Sequence, residues 1–260
     1  MTDAREQPIG VFDSGFGGLT VVRSLIDLMP NESLVYIGDN GRYPYGNKPA
    51  SEVRGYAVEL AESLVHDHGA KMIVVACNTA ASVALTDLQG ELDVPVVGVV
   101  EPGARALVRV THNNKVGVIG TVGTISSGAY VEAVRATGAP VTLTSAACPG
   151  FVEFVERDQT TGDEVTVLAE RLLAPVRAAG VDSLLLGCTH YPYLARVISE
   201  VACEPELPPE LMTSGMNSVS TGTFCSSTSK YCSACVVNIS LTMSTLSQPA
   251  RLRSMPPIDI

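Results

Sequence analysis

The chain has 260 residues, 46% of them hydrophobic and none of them tryptophan, enough apolar material for one large α/β domain or two smaller ones. A formal net charge of −10 disfavours direct contact with a nucleic-acid backbone. The polar start from Met1 to Pro8 is no signal peptide, and no apolar run reaches the roughly 18 residues of a membrane span. The expectation is a cytoplasmic chain without a membrane partner, its seven cysteines reduced rather than joined in a disulfide framework.

In chain order, Pro8 to Val11 opens a strand that stops at the loop Asp13-Ser14-Gly15-Phe16-Gly17-Gly18, and a helix follows from Leu19 to about Met29. A second strand, Leu34 to Gly38, runs into the turn-rich segment from Asp39 to Gly46. Residues 51–68 carry helical periodicity with Val53, Ala57, Leu60, Ala61 and Leu64 on one face. The run Met72 to Val75 delivers Ala76-Cys77-Asn78-Thr79, a helix is expected near 80–89, and a short strand over Val94 to Val100. The pattern then restarts. Lys115 to Gly120 is a strand ending at Thr121, followed by a helix near 126–137, a strand from Val141 to Ala147, a helix over 161–179, and the strand Ser183 to Leu186 bearing Cys188. Strands alternating with helices at this spacing imply mainly parallel sheets covered by helices on both faces.

Asp13 lies 64 positions before Cys77, and Thr121 lies 67 before Cys188. Matching order and near-equal spacing suggest two pseudo-symmetric α/β domains, residues 1–98 and 99–203, with the site in the cleft between them. Accidental likeness of two ordinary βαβ stretches is the alternative. In open α/β sheets ligands bind at the carboxyl edge of the strands, where both cysteines stand. Each thiol is expected at a helix start, where backbone N–H groups and the helix dipole favour an anion. His190, two residues beyond Cys188, can act as its proton partner, and Asp13 can orient or deprotonate Cys77. A cysteine after an apolar strand is also a common buried filler, and a hydrolase built on Cys188 and His190 would leave Cys77 idle.

The glycines of the first loop lack dinucleotide or P-loop spacing; they suit a turn whose N–H groups hold a carboxylate. None of the four lysines, Lys48, Lys71, Lys115 and Lys230, ends a strand inside a pocket-like loop, which argues against a pyridoxal phosphate Schiff base. No cofactor is expected. Cys232 and Cys235 have C-x-x-C spacing but neither a second pair nor a histidine, so no metal site is expected either. Residues 212–248 contain sixteen Ser or Thr, a composition that reads as irregular or disordered chain across 204–260.

The segments Gly10 to Thr20, Pro44-Tyr45-Gly46, Ala76 to Ala80 and Gly187 to Pro192 resemble, in order and spacing, the signature segments of glutamate racemases, members of the cofactor-independent aspartate/glutamate racemase superfamily. The resemblance runs from about Pro8 to Val201. It implies interconversion of L- and D-glutamate for peptidoglycan, with Cys77 and Cys188 as the two catalytic acid/bases, the first serving D-glutamate and the second L-glutamate. Asp13 would assist Cys77, and His190 and Glu156 would assist Cys188. Ser14, Pro44, Tyr45, Gly46, Asn78, Thr79, Thr121 and Thr189 would bind the amino and carboxylate groups, with Asp39 a supporting acid. The family also implies a homodimer and, in some relatives, contact with DNA gyrase. A sister activity such as aspartate racemisation, and a catalytically impaired protein-binding relative, remain alternatives. From about Cys203 the sequence departs from the family pattern, which suggests an out-of-frame or otherwise altered ending; translation of the other two frames past codon 203 tests this.

Overall fold

The computed structural model describes residues 6–203 and the backbone of 235–238. Two four-stranded sheets, each wholly parallel, form the frame. The first holds β1 (Ile9–Asp13), β2 (Leu34–Gly38), β3 (Met72–Val75) and β4 (Val96–Gly98), in the order β2-β1-β3-β4. The second holds β5 (Lys115–Gly120), β6 (Thr142–Ala147), β7 (Ser183–Gly187) and β8 (Cys235–Asn238), in the order β6-β5-β7-β8. The two orders are the same when each sheet is counted from its own first strand. Parallel strands covered on both faces read as continuous apolar runs, and β1, β3 and β7 are that kind of sequence, with β1 and β7 buried throughout.

Register sets the functional edge. Phe12 pairs with Val75 and Asp13 with Gly38 in the first sheet, and Gly120 pairs with Gly187 in the second. The central strands of each sheet therefore end level, and the residues that follow them emerge side by side. Helices α1 (Leu19–Leu28), α2 (Ala50–His66) and α3 (Asn78–Glu91) connect the first sheet. Helix α4 (Val100–Val110) leads out of it, and α5 (Val122–Ser126), α6 (Ala129–Ala136), α7 (Phe151–Glu156), α8 (Asp163–Ala178) and α9 (Ala195–Cys203) serve the second. One apolar cluster carries residues of both halves, with Leu107, Val116, Val118 and Leu185 packed in continuity with Val11, Val74 and Ala84. A second has its buried residues in the later half, around Phe151, Leu173, Leu186 and Tyr191, with Phe16 and Tyr43 of the first half packed against it. No helix among the described residues is long and apolar enough to cross a membrane.

A buried carboxylate fixes the start of the second sheet. Asp182 is 3% exposed, and its Oδ1 accepts from Thr111 Oγ1 at 2.6 Å while Oδ2 accepts from the backbone N–H groups of His112 and Asn113 at 2.7 and 2.8 Å. The link ties the connection before β5 to the residue just ahead of β7, the two strands whose far ends frame the site.

Several elements differ from the sequence expectation. The single helix near 126–137 is two, α5 and α6, because Gly128 adopts a left-handed φ of 73° between them, a conformation glycine takes at little cost. The strand expected over Val94 to Val100 is only three residues long, and Val100 already opens α4. That helix was hidden by Pro102 and Gly103, although proline is tolerated in a first helical turn. Helix α7 is six residues long behind Pro149-Gly150, too short to show a period. Within 204–260, Cys235–Asn238 is a strand paired parallel with β7 from Ser183↔Cys235 to Leu186↔Asn238. The rest of that expectation, Cys232 included, lies outside the described residues.

Candidate active site

Four strand ends converge on one small cavity. β1 delivers Asp13 and Ser14, β3 delivers Cys77, Asn78 and Thr79, β5 delivers Thr121, and β7 delivers Cys188, Thr189 and His190. Eleven of the thirteen residues expected from sequence line the cavity: Ser14, Pro44, Tyr45, Gly46, Cys77, Asn78, Thr79, Thr121, Cys188, Thr189 and His190. The other two stand behind the lining. Asp13, completely buried, accepts at Oδ2 from Gly18 N–H at 2.9 Å and Gly15 N–H at 3.3 Å. The glycine loop does hold a carboxylate, but it is the chain's own. Glu156 lies behind His190, whose Nε2 is 2.9 Å from Glu156 Oε1 and whose Nδ1 is 4.0 Å from Cys188 Sγ. Tyr43 and Val152 also line the cavity. Neither was expected; Val152 sits on the unforeseen α7, and Tyr43 in the turn that the sequence reading used only from Pro44.

The peptide bond between Tyr43 and Pro44 is cis. Tyr45 does not offer its hydroxyl to the cavity: Asp39 Oδ2 accepts from it at 2.5 Å and from Arg42 Nε at 2.6 Å. Asp39 therefore ties Arg42 and Tyr45 together within the 39–46 turn. Cys77 is the residue before α3, and its Sγ accepts from Ala80 N–H at 3.5 Å. Thr121 has the same position before α5 and accepts from Thr124 N–H at 3.2 Å.

Polar contacts close the halves over the cavity. Thr79 Oγ1 lies 3.0 Å from Thr121 Oγ1 and 3.3 Å from Thr124 Oγ1. Thr189 Oγ1 donates to Asp13 Oδ1 at 3.4 Å. The His190 ring sits among first-half aromatics, 5.0 Å edge-on from Phe16 and 5.8 Å stacked with Tyr43. The remaining space is about 20 Å³, room for about one ordered water, so the halves are shut. Gly46 permits this approach: a Cβ there would lie 2.8 Å from both Cβ and Cγ2 of Thr121, well inside the roughly 3.5–4.0 Å of carbon contact. Gly46→Ala is expected to hold the halves apart and to lower turnover about 100-fold through misplacement of the reacting groups. Steady-state rates beside a thermal melt check this; unchanged turnover would show that the close approach is dispensable.

Burial decides the electrostatics. The Cys77 thiol is pushed up to about 12 by desolvation and then by the Asp13 carboxylate, against weaker help from Ala80 N–H and Ser14. The Cys188 thiol is pushed up in the same direction by burial, with Asp13 and Cys77 adding to it and the His190 and Tyr191 N–H groups opposing. Asp13 itself is raised by burial despite His190 and the loop N–H groups. Of the two helix starts expected to favour an anion, the one after Cys77 is present as α3, whereas a short 3-10 turn, Tyr191–Leu194, follows Cys188; at both positions loss of water opposes the N–H groups. Burial therefore favours the protonated thiol at both positions. No cluster of three or more His, Cys, Asp or Glu among the described residues could hold a metal ion.

Two repeated parallel sheets that each bring a cysteine to a shared, hydroxyl-lined cleft define a two-lobed α/β enzyme acting on a small polar molecule. The comparisons narrow that class. The sequence pattern of Asp/Glu/Hydantoin racemases matches residues 9–208, and the chain belongs to that family. It is 53% identical over 191 residues to the glutamate racemase of Corynebacterium diphtheriae, covering 74% of this chain and 71% of that protein. It is 49% identical over 194 residues to that of Mycobacterium ulcerans, covering 75% and 71%. Among solved structures, it superposes on a Francisella tularensis glutamate racemase in complex with D-glutamate with TM-score 0.78 and 29% identity, covering 98% of this chain and 85% of the other.

Proposed function

We propose that the chain is a glutamate racemase that interconverts L- and D-glutamate without a cofactor, through two cysteines. The observation that carries this reading is that Cys77 and Cys188, from equivalent strand ends of the two halves, line the same cavity. The relatives named above support the substrate. Inverting a carbon centre by proton transfer alone needs a base on one face and an acid on the other. In the D-to-L direction the Cys77 thiolate takes the α-proton, the electron pair passes into the carboxylate, and the Cys188 thiol returns a proton to the opposite face. The reverse reaction exchanges these roles.

The surroundings suit the steps. Hydroxyl and amide groups of Ser14, Asn78, Thr79, Thr121 and Thr189 line the cavity, their oxygens able to accept from the amino group and their O–H and N–H groups to donate to the carboxylate, and a closed cavity excludes water from the carbanion. Asp13 assists Cys77, and the Glu156–His190 pair assists Cys188. The substrate's ammonium is the missing positive charge: entering next to a buried neutral thiol, it favours the thiolate. The halves must part to admit it. We place their division near residue 98, ahead of α4, and the enzyme in the cytoplasm, supplying D-glutamate for peptidoglycan. Homodimer formation and gyrase contact rest on family resemblance; gel filtration and a supercoiling assay check them.

Incubation with L-glutamate in deuterated water tests the reading. The α-proton signal and the circular dichroism are both expected to disappear, and absence of both changes would overturn it. Because burial pushes the Cys77 thiol up to about 12, kcat/KM is expected to rise about tenfold per pH unit between roughly pH 6 and 8, since that ratio follows the ionisation of the free enzyme. A plateau already reached at pH 6.5 would mean that the empty cleft holds a preformed thiolate.

A further inference from the structure

Asn78 is 2% exposed and opens α3 immediately after Cys77, on the cavity wall. Its Oδ1 accepts from the hydroxyl of Tyr130 at 2.6 Å. Its Nδ2 is fully buried and has no hydrogen-bond partner among the described residues. A buried amide donor without an acceptor costs about 1–3 kcal/mol, and such groups in folded proteins call for an explanation. Tyr130 comes from α6, in the other half of the molecule, and is itself 2% exposed. Its ring lies against the backbone just before Cys188, where a Cβ on Gly187 would be 3.2 Å from Tyr130 Cε2. One side chain thus touches the strand end carrying the second thiol and the amide beside the first.

We propose that Tyr130 is a positioning residue that fixes the Asn78 side-chain amide, turning its NH2 group into the cavity as a donor to the substrate's carboxylate. The inference rests on the racemase reading. An asparagine amide free to rotate by 180° can present either its oxygen or its nitrogen to a ligand. Facing a carboxylate, the oxygen repels and the nitrogen donates. A phenol that gives its proton to Oδ1 selects the second orientation. When the α-proton leaves, negative charge builds on the carboxylate, so a donor already aimed there is stronger in the transition state than in the ground state. Because Tyr130 and Asn78 belong to opposite halves, the donor is set only when the cleft is shut.

Tyr130→Phe tests this, because it removes the hydroxyl and keeps the ring packed on Gly187. Turnover is expected to fall about 10- to 100-fold, the scale of a misdirected carbanion-stabilising donor, with KM little changed and the unfolding midpoint lowered by a few degrees at most, since only Asn78 Oδ1 loses its donor. In an Asn78→Ala background the same substitution is expected to cost nothing further. Wild-type kcat in Tyr130→Phe, or an equal loss in both backgrounds, overturns the proposal. The Asn78 side-chain amide resonances, assigned by their absence in Asn78→Ala, supply a readout independent of turnover and are expected to shift in Tyr130→Phe. If they stay in place, the proposal falls. A wild-type chain that does not racemise glutamate instead overturns the functional reading, and the resonances still judge Tyr130.

Discussion

Cys188→Ala is expected to abolish net inversion while still washing the α-proton of D-glutamate into deuterated solvent, and Cys77→Ala to do the reverse with L-glutamate. With one thiol gone, the remaining one can remove a proton and return a solvent-derived one only to the face it came from. Loss of a general acid or base costs about 10²–10⁴-fold, and here one group is needed on each face, so racemisation should drop at least about 10³-fold in either variant. The doubly substituted enzyme should racemise no more slowly than the worse single variant, because groups that act as a unit are not additive. Proton NMR on each pure enantiomer, with circular dichroism in parallel, reads exchange and inversion separately. Either single variant racemising at the wild-type rate would end the two-base assignment. Each sulfur is buried and lines the same cavity, which is the geometry this prediction rests on.

Asp182→Ala should lower stability by about 3 kcal/mol, because it removes the buried carboxylate that accepts from the Thr111 hydroxyl and the His112 and Asn113 N–H groups. For a chain of this size that is a fall of about 6–12 °C in the unfolding midpoint. Burial alone would raise the Asp182 carboxyl, but the donations from Thr111, His112, Asn113 and Ser183 outweigh it and hold it below the usual carboxylate value. A depressed carboxyl stabilises the fold fully above its unfolded value near pH 4, and that contribution is lost as pH falls through the folded value. The gap between wild type and Asp182→Ala should therefore be constant from pH 5 to 7 and shrink below about pH 4. Denaturant titrations across that range measure it; a gap that widens in acid would contradict the assigned role.

Much of the frame could be read from the chain because buried parallel strands announce themselves. Leu34–Gly38 was placed to the residue, and the strands before Cys77 and Cys188 stood out as aliphatic runs ending in small polar residues. The cavity lining was legible for the same reason, since residues at strand ends converge wherever the sheet is parallel. Position along the chain said nothing about depth. Asp13 and Glu156 were expected in the right neighbourhood, yet neither lines the cavity: Asp13 is held by the Gly15 and Gly18 N–H groups and Glu156 lies against His190, an arrangement only tertiary packing creates. The opposing pull of burial on the two thiols was not legible for a related reason: helix starts are local and visible, whereas desolvation depends on what the other half lays over the site. Tyr130 gave no sequence signal at all, being one apolar-face residue of an eight-residue helix.

The repeated strand order carries a consequence for handedness. Mirror-image forms of one amino acid have equal free energy, so a catalyst of their exchange must reach equilibrium with neither side favoured. Two frames of one topology, each ending in a sulfur at the same structural station, offer both faces of a carbon the same kind of chemistry from the same kind of scaffold. Duplication here converts a question of chirality into one of left lobe and right lobe.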